Sequence, residues 1–369
     1  MLSLAARLPL YRTFRKWGWP RLLPVNVAFN VIYACNSRCK TCRVYERKVD
    51  LLSVEEFDRV FASLGRSVTW ATLTGGEPFL RKDLADIALA LAKRCKPSFV
   101  TIATNGTFPD RVIASMERIA EGAPGTDWVL NLSLDEIGER HDEIRVTPHN
   151  WERAMETYRG LRALGARNVS LGIHTCLSRF NAARFEEIQR ELVALEPDSY
   201  IVEMAEGRGE LLNLGDDIEP AEGLYRHAYR SLQDRLLVET PKTRAARIVR
   251  ALRLRYYGLA EDYISRREQM IPCMAGWMSA HVGADGEVWT CSTRAQPIGH
   301  LREVDYDFRK VWHSERAREL RRSIANRECA CPMVNAAYTS MMADPKSIAL
   351  VMRDYLRPAR PRRAAALTP

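Results

Sequence analysis

The chain has 369 residues, of which 46% are hydrophobic and 27% are charged, and it carries a formal net charge of +9. This length predicts one large domain with a smaller one, and the composition is that of a globular protein. No apolar run reaches the ~20 residues that a membrane-spanning helix requires, which excludes such a helix. The excess positive charge lies in residues 1–24 and 346–369, so we expect no nucleic-acid partner.

The N-terminal segment, residues 1–24, is both basic and apolar. Its five arginine and lysine residues, with no acidic residue, alternate with leucine and aromatic side chains. Two interpretations are open: an amphipathic helix that lies on a membrane surface, or a helix that packs on the remainder of the protein. No signal peptide is recognisable, so we expect a cytoplasmic protein. The first interpretation would place it at the inner face of the membrane.

From residue 25 onward the chain alternates six times between strand and helix patterns. The strands are predicted at 25–32, 68–73, 98–103, 128–132, 168–173 and 199–202. One helix is predicted to begin at the Ser53 capping box. Further helices are predicted at 83–94, 109–120, 150–164 and 182–195. Repeated βα units with apolar strands favour a parallel sheet, so we expect a partial (β/α)6 TIM-like barrel over residues 25–215. The motifs that follow the strands would form its catalytic rim.

A cysteine-rich loop follows the first predicted strand. It has the spacing C-x-x-x-C-x-x-C and contains Cys35, Cys39 and Cys42. Three thiolates on one loop can hold three irons of a cubane cluster and leave the fourth iron open for a ligand. Structural zinc usually needs a fourth Cys or His nearby, and the nearest downstream histidine is His141. The loop therefore predicts an iron–sulfur cluster with a reactive iron, and the odd total of nine cysteines argues against disulfides.

The later strands end in motifs that could bind a small molecule. Gly75 and Gly76 would let the backbone approach a ligand closely, and Glu77 adds a carboxylate acceptor. Ser133 follows the fourth strand, and the Arg145 guanidinium could bind a carboxylate or form a rim salt bridge with Asp142 or Glu143.

Three more residues are predicted near this rim. Thr175 and Glu206 follow the fifth and sixth strands and are expected to face the same pocket. Cys176 lies beside Thr175 and is a secondary candidate for quenching a radical or contacting a substrate, whereas Cys95 is expected to be structural.

The rest of the chain divides into three predicted segments. Residues 216–270 are expected to be a helical connector, whose run of arginines is a solvated face or, alternatively, grips an acidic substrate. Residues 271–340 contain short strands, turns and four cysteines: Cys273, Cys291, Cys329 and Cys331. Four thiolates from separated turns can saturate one iron–sulfur cluster, and a four-cysteine zinc site is the alternative. Residues 341–369 are expected to form a C-terminal helix and a basic tail, disordered from about residue 355.

The first cysteine loop and the motifs after strands two and four together resemble the radical S-adenosylmethionine (SAM) superfamily. The resemblance implies that SAM binds the open iron of a [4Fe-4S] cluster and that Gly75, Gly76 and Glu77 contact its amino group. The Ser-Leu-Asp…His-Asp…Arg stretch looks like that of sulfatase-maturase-like members, which implies that Ser133 and Arg145 contact SAM. Thr41 departs from the family, which usually has an aromatic residue before the third cysteine, near the adenine.

The second cysteine set resembles the auxiliary-cluster domains called SPASM and, in short form, twitch. A full SPASM domain has seven cysteines, so the four present here imply one auxiliary [4Fe-4S] cluster, in a small α+β domain over 271–340. The ending C-x-C-P departs from the usual C-x-x-C-x-x-x-C. Ser292 replaces the acid of the sulfatase maturases, so their formylglycine-forming chemistry is not expected.

The resemblance implies an oxidoreductase that modifies C–H bonds. An electron from a flavodoxin- or ferredoxin-type donor cleaves SAM, and the resulting 5′-deoxyadenosyl radical takes hydrogen from an unactivated carbon. The substrate is expected to be a lipid, glycan or peptide, with Cys176 and Glu206 as secondary catalytic candidates. The alternative is a non-catalytic iron–sulfur or zinc scaffold that binds partners.

Overall fold

The structure is a computed structural model that describes residues 4–241 and 243–357. Positions 1–3 and the basic tail predicted beyond residue 357 lie outside the described residues. The strands are β1 (Asn26–Ile32), β2 (Trp70–Gly75), β3 (Phe99–Thr104), β4 (Asp127–Ser133), β5 (Val169–Leu177), β6 (Ser199–Met204), β7 (Ser279–Val282), β8 (Glu287–Trp289) and β9 (Pro297–His300). The helices are α1 (Leu4–Trp17), α2 (Val54–Leu64), α3 (Leu84–Cys95), α4 (Pro109–Gly122), α5 (Glu139–Arg145), α6 (Asn150–Leu164), α7 (Phe185–Ala194), α8 (Glu222–Val238), α9 (Arg244–Arg266), α10 (Phe308–Trp312), α11 (Glu315–Ala325), α12 (Val334–Ala343) and α13 (Pro345–Leu356).

One sheet contains every strand of the described residues, in the order β6-β5-β4-β3-β2-β1-β7-β8-β9. Strands β1 to β6 are parallel and each lies beside its neighbour in the chain. The sheet does not close, because β6 and β9 are its two edges, and the predicted partial barrel is confirmed. Strand β7 pairs in parallel with β1, and β8 and β9 continue the sheet in antiparallel fashion. The second cysteine segment thus extends the barrel sheet.

The pleat of the strands separates a packed face from an open one. In β4, Trp128 and Leu130 are fully buried in the hydrophobic core, whereas Val129 and Asn131 line a cavity inside the half-barrel. This alternation follows from the two-residue period of a strand. Helix α2 begins after the predicted capping box, in which the Ser53 hydroxyl accepts from the Glu56 N–H.

Strand β5 corrects one sequence expectation. The strand continues past the predicted end at residue 173 and reaches Leu177. Alternating side chains then place His174 and Cys176 on the cavity, whereas Thr175 is fully buried and its hydroxyl donates to the Leu134 carbonyl at 2.6 Å. The prediction that Thr175 faces the pocket is therefore wrong, because the pleat turns it to the opposite side of the sheet.

Helix α1 packs on the body of the protein. Tyr11 and Phe14 are buried, and the Arg12 and Arg15 side chains donate to the carbonyls of Ala343 and Cys273. These contacts favour the packed interpretation of the N-terminal segment. The described residues contain no helix that is long and apolar enough to cross a membrane.

The arginines of α9 differ in exposure. Arg247 is exposed, as a solvated face requires, but Arg250 and Arg253 are only 4% and 9% exposed. The expectation of a solvated face is therefore wrong for these two residues, because α9 is covered by α8 and α13 along this side.

Replacing Ser53 by Ala should lower the free energy of unfolding by about 1 kcal/mol, because the capping hydrogen bond to the first turn of α2 is lost. Urea denaturation measures this change. Ser53→Gly is the matched control and should cost only a few tenths of a kcal/mol. Equal losses in both variants would contradict the capping role.

Candidate functional site

A cavity of about 810 Å³ lies inside the half-barrel. We call its part at the carboxyl ends of β1–β6 the upper chamber and its part at their amino ends the lower end. Cys35, Cys39 and Cys42 line the upper chamber, and Trp70 and Phe99 line the lower end. A volume of this size can enclose a cofactor together with part of a substrate.

The first cysteine loop is held against α5. The N–H groups of Arg38 and Lys40 donate to the carbonyls of Arg145 and Ile144, at 3.1 and 2.9 Å. Burial, together with the smaller effect of neighbouring cysteines of the loop, raises the pKa of Cys35 to about 11 and that of Cys42 to about 12. The three thiols therefore lie close to one another and would lose their protons on binding a metal.

Gly75 and Gly76 let the loop after β2 lie directly against the strand that leads into the cysteines. A Cβ atom at Gly75 would overlap the carbonyl oxygen of Ile32, and one at Gly76 would overlap that of Ala34. The Gly76 N–H donates to the Ile32 carbonyl at 2.8 Å. Their first role is therefore close packing of two rim loops.

The Glu77 carboxylate joins the rim loops after β2 and β3. It accepts hydrogen bonds from the Thr104 hydroxyl at 2.8 Å and from the N–H groups of Asn105 and Phe79 at 2.7 and 3.1 Å. Burial raises its pKa to about 7. The Asn105 amide in turn donates to Asn36 in the cysteine loop. Glu77 lines the upper chamber, but most of its accepting capacity is used within the protein.

Ser133 and Arg145 both line the upper chamber. The Arg145 Nε atom lies 2.8 Å from Asp135 Oδ2, and its Nη1 atom lies 3.9 Å from the Cys39 sulfur. The alternative prediction of a salt bridge between Arg145 and Asp142 is wrong, because the Asp142 carboxylate accepts a hydrogen bond from the Trp151 N–H instead. Burial by itself would lower the pKa of Arg145, but the Asp135 and Cys39 charges raise it above its ordinary value.

Charged side chains from the ends of β5 and β6 complete the upper chamber. His174 Nε2 lies 2.9 Å from Glu203 Oε2, and the Arg208 Nε atom lies 3.4 Å from Glu206 Oε1. Burial raises the pKa of Glu206 to about 7 and that of Cys176 to about 12, so Cys176 is a neutral thiol. Glu206 Oε1 and Arg208 Nε are buried in this chamber, and their contact with each other does not have the geometry of a hydrogen bond.

Sequence reasoning missed His174, Glu203 and Arg208 as site residues. The sequence feature that could have identified them is the one that identified Glu206, because all four residues follow or end a predicted rim strand. Arg208 also forms ion pairs with both glutamates, at 3.8 Å to Glu203 and 3.4 Å to Glu206. Such pairing could not be read from the chain, because it joins side chains across a loop.

The second cysteine set also comes together. Cys273, Cys291 and Cys331 contact one apolar cluster, and the charges of Cys291 and Cys329 raise the pKa of Cys273, after the larger effect of burial. All nine cysteines of the chain are free thiols. This set also lies beside α9, where the Tyr256 hydroxyl donates to the Pro332 carbonyl at 3.0 Å.

The thiol groups suit iron–sulfur clusters in kind and number. Three thiols face the upper chamber, and the other four lie close enough together for their charges to act on one another, as a cluster with one open iron and a saturated cluster require. Within the described ranges, no three cysteine, histidine or carboxylate side chains converge as ligands of a single metal ion.

Replacing Asp135 by Asn should lower the free energy of unfolding by about 3 kcal/mol, because the buried Arg145 charge loses its partner. Chemical denaturation of the purified protein measures the change. The control is Asp305→Asn, which breaks the exposed pair with Arg59 and should cost less than about 1 kcal/mol. Similar losses at both sites would contradict the importance of the buried pair.

Two family models match the chain. The Radical SAM superfamily model matches residues 29–192, and the model of the SPASM iron-sulfur cluster-binding domain matches residues 273–332. The two ranges together cover more than half of the chain. They imply the predicted cofactors: SAM, a [4Fe-4S] cluster that binds it, and auxiliary iron–sulfur chemistry. That there is one auxiliary cluster stays a prediction.

Curated relatives match either the barrel or most of the chain. Pre-heme d1 synthase of Dinoroseobacter shibae is 32% identical over 167 residues, 44% of this chain and 39% of the relative. GTP 3′,8-cyclase of Stenotrophomonas maltophilia is 35% identical over 164 residues, 42% of this chain and 47% of the relative. The chain therefore spans less than half the length of these two. AdoMet-dependent heme synthase of Methanosarcina barkeri is 26% identical over 318 residues, 82% of this chain and 85% of the relative.

Solved structures share the fold. Streptococcus suis SuiB bound to S-adenosylmethionine aligns with a TM-score of 0.61 and 14% identity over 84% of this chain and 70% of that one. The enzyme anSMEcpe with bound AdoMet aligns with a TM-score of 0.59 and 14% identity over 90% of this chain and 96% of that one. Since the family models cover both cysteine sets and the fold agrees, the chain belongs to the radical SAM superfamily and carries a SPASM iron–sulfur domain.

Proposed function

We propose that this enzyme abstracts hydrogen from an unactivated carbon of a substrate whose reacting end bears hydroxyl or amine groups, as glycans and peptides do. The observation that carries the proposal is the charge of the upper chamber beside the three cysteines. When bound, the cluster and SAM supply the 5′-deoxyadenosyl radical. The chain's own residues then decide which molecule is held beside it.

Acidic side chains outnumber basic ones in the upper chamber. Two arginines, Arg145 and Arg208, face a larger set of carboxylates: Glu77, Asp135, Glu203, Glu206 and Glu210. In a partly buried site such an excess disfavours an anionic group and favours a neutral or cationic one. A triphosphate such as that of GTP would meet these carboxylates at close range. The chamber therefore supports a reacting end that donates hydrogen bonds.

Glu206 and Arg208 are the residues best placed to contact this substrate. Both line the chamber, and the buried atoms Glu206 Oε1 and Arg208 Nε form an ion pair at 3.4 Å without a well-formed hydrogen bond. Buried polar atoms are normally hydrogen-bonded, so a substrate hydroxyl or amine could supply the hydrogen bonds that these two atoms lack. Glu206 can also accept a proton, since its pKa is raised to about 7 by burial.

Cys176 is the second candidate for a catalytic contact. Its thiol lies on the same chamber, and the Cys176 N–H donates to Asp135 Oδ1 at 2.9 Å. Burial raises the thiol pKa to about 12, so the S–H form is maintained at neutral pH. This is the form that can transfer a hydrogen atom to a substrate carbon radical, and one electron from the low-potential donor, with a proton, would then restore the thiol from the resulting Cys176 thiyl radical. Its position supports the radical-quenching role.

The residues around SAM and the external partners belong to the same proposal. The backbone of Gly75 and Gly76, with Ser133 and the Arg145 guanidinium, would hold SAM beside Cys35–Cys42. A low-potential donor of the flavodoxin or ferredoxin type would reduce the cluster.

The exposed Trp17 and Trp19 at the end of α1 support a peripheral membrane contact, although the arginines of that helix face the body.

Changing Cys35, Cys39 and Cys42 together to Ala should lower the iron content from about eight to about four per chain. Release of 5′-deoxyadenosine from SAM and dithionite should also be lost. Iron analysis after anaerobic reconstitution and chromatography of the products measure both effects. Cys95→Ala is the control, since that buried thiol contacts the Phe61 carbonyl far from the chamber, and it should retain both properties. Zinc without iron, or no SAM cleavage in the wild type, would favour the scaffold alternative.

Changing Glu206 to Gln should reduce substrate hydrogen abstraction roughly 10- to 100-fold, because a buried hydrogen bond to a charged group is weakened. The measurement is deuterium transfer into 5′-deoxyadenosine from a metabolite extract of cells grown in heavy water. Glu186→Gln, at a carboxylate that is 66% exposed, is the matched control. Acetylating the amines and hydroxyls of the extract should abolish the transfer from it. Undiminished deuterium transfer into 5′-deoxyadenosine after acetylation would contradict the proposed substrate class.

A further inference from the structure

The lower end of the cavity differs in charge from the upper chamber. It is lined by the first residues of the strands, among them Ser170 and Ser199, and by Arg250 and Arg253 of helix α9. These two arginines lie one helical turn apart and are both largely buried. The excess of carboxylates beside the cysteines is therefore absent at the opposite end, where these two buried arginines lie.

The two Nη atoms of Arg250 are hydrogen-bonded within the protein, whereas its Nε atom has no hydrogen-bond partner among the described residues. Its Nη1 atom donates to the Glu239 carbonyl at 3.0 Å, and its Nη2 atom donates to the Asp354 and Arg357 carbonyls at 3.2 and 2.8 Å. These carbonyls lie at the carboxyl ends of α8 and α13, where the helix dipoles place partial negative charge. Arg250 thus joins two helix ends and has a structural explanation.

Arg253 has no such compensation. It is 9% exposed and lies in the middle of α9, away from free helix carbonyls. Its Nε atom is buried without a hydrogen-bond partner, and the guanidinium forms no ion pair with a carboxylate of the described residues. Its polar neighbour is the Tyr338 hydroxyl, which lies within hydrogen-bonding reach.

The carboxylates at this end of the cavity are paired with other cations. Asp198 lies 3.4 Å from Arg162, and Glu239 lies 3.7 Å from Arg235. Residues 1–3, 242 and 358–369, which the structure does not describe, contain no Asp or Glu in the sequence. No acidic side chain is thus available from the rest of the chain to neutralise Arg253.

A buried cation without a counter-ion is strongly unfavourable, and an external anion would remove that cost. A guanidinium presents a planar fork of donors that matches the oxygens of phosphate and carboxylate groups. We propose that Arg253 forms an anion subsite at the lower end of the cavity, which binds a phosphate or carboxylate group. The Ser170 and Ser199 hydroxyls line the same end and can add hydrogen bonds. The subsite does not depend on the chemistry proposed for the upper chamber.

The test is the binding of inorganic phosphate to the full-length, cluster-loaded protein at constant ionic strength. Phosphate should raise the melting temperature of the wild type, and titration calorimetry should show Arg253→Gln to bind it at least about tenfold more weakly. Arg253→Lys, which keeps the charge, should bind with intermediate strength. Arg247→Gln is the matched control, since that exposed arginine on the same helix stacks 5.5 Å from the Tyr355 ring, and it should behave as the wild type.

A second measurement separates an anion site from a structural arginine. Without multivalent anions, Arg253→Gln should melt at the same temperature as the wild type or higher, because the variant lacks an unpaired buried charge. A lower melting temperature of this variant in that buffer would overturn the proposal. So would a phosphate-induced shift that is absent in the wild type or equal in Arg253→Gln.

The source of the anion is distinguished by a further titration. A hexose phosphate that binds at least about tenfold more tightly than inorganic phosphate would identify the anionic group of a larger substrate. Equal affinity would identify a free anion as the occupant. Acetate in the same titration compares a carboxylate with phosphate. Either positive result supports the subsite, whereas no binding of any of these probes would contradict it.

Discussion

The buried ion pair between Arg145 and Asp135 is the contact on which the upper rim depends. Asp135 also accepts from the Cys176 N–H, and its own N–H donates to His141 Nδ1. Arg145 lies against the Cys39 thiol, and its carbonyl accepts from the Arg38 N–H. One pair thus joins the ends of β4 and β5, helix α5 and the cysteine loop. The attraction is strong because both side chains are withdrawn from water.

A second set of contacts fixes the cysteine loop from the other side. Gly75 and Gly76 place the loop after β2 against the end of β1, and Glu77 extends this packing to Asn105. Asn105 then reaches Asn36 inside the cysteine loop. Residues that resemble a SAM-binding motif are therefore also the structural support of the cluster site. Such double use makes the rim rigid where a reactive radical must be kept from water and from the protein.

The two ends of the cavity differ in the charged side chains that line them. Carboxylates dominate beside the cysteines, whereas Arg250 and Arg253 lie at the amino ends of the strands. A molecule with a hydroxyl- or amine-bearing end and an anionic end would be oriented by this difference with the first end toward the radical. The orientation would be set by the protein before any bond is broken, which is how binding energy serves a reaction at an unactivated carbon.

The sequence by itself determined the strand and helix order, the partial barrel and the cysteine spacing, because these depend on local periodicity and on short motifs. The same local information placed Glu77, Ser133 and Arg145 at strand or helix ends, where the structure has them lining the cavity. Only the tertiary structure decided the partners. Asp135 instead of Asp142 pairs with Arg145, Thr175 turns away from the cavity, and Arg253 is buried within an arginine run expected to be solvated. Each of these outcomes depends on which surfaces of distant segments meet, and burial then sets the charge and hydrogen-bonding needs of the side chains between them.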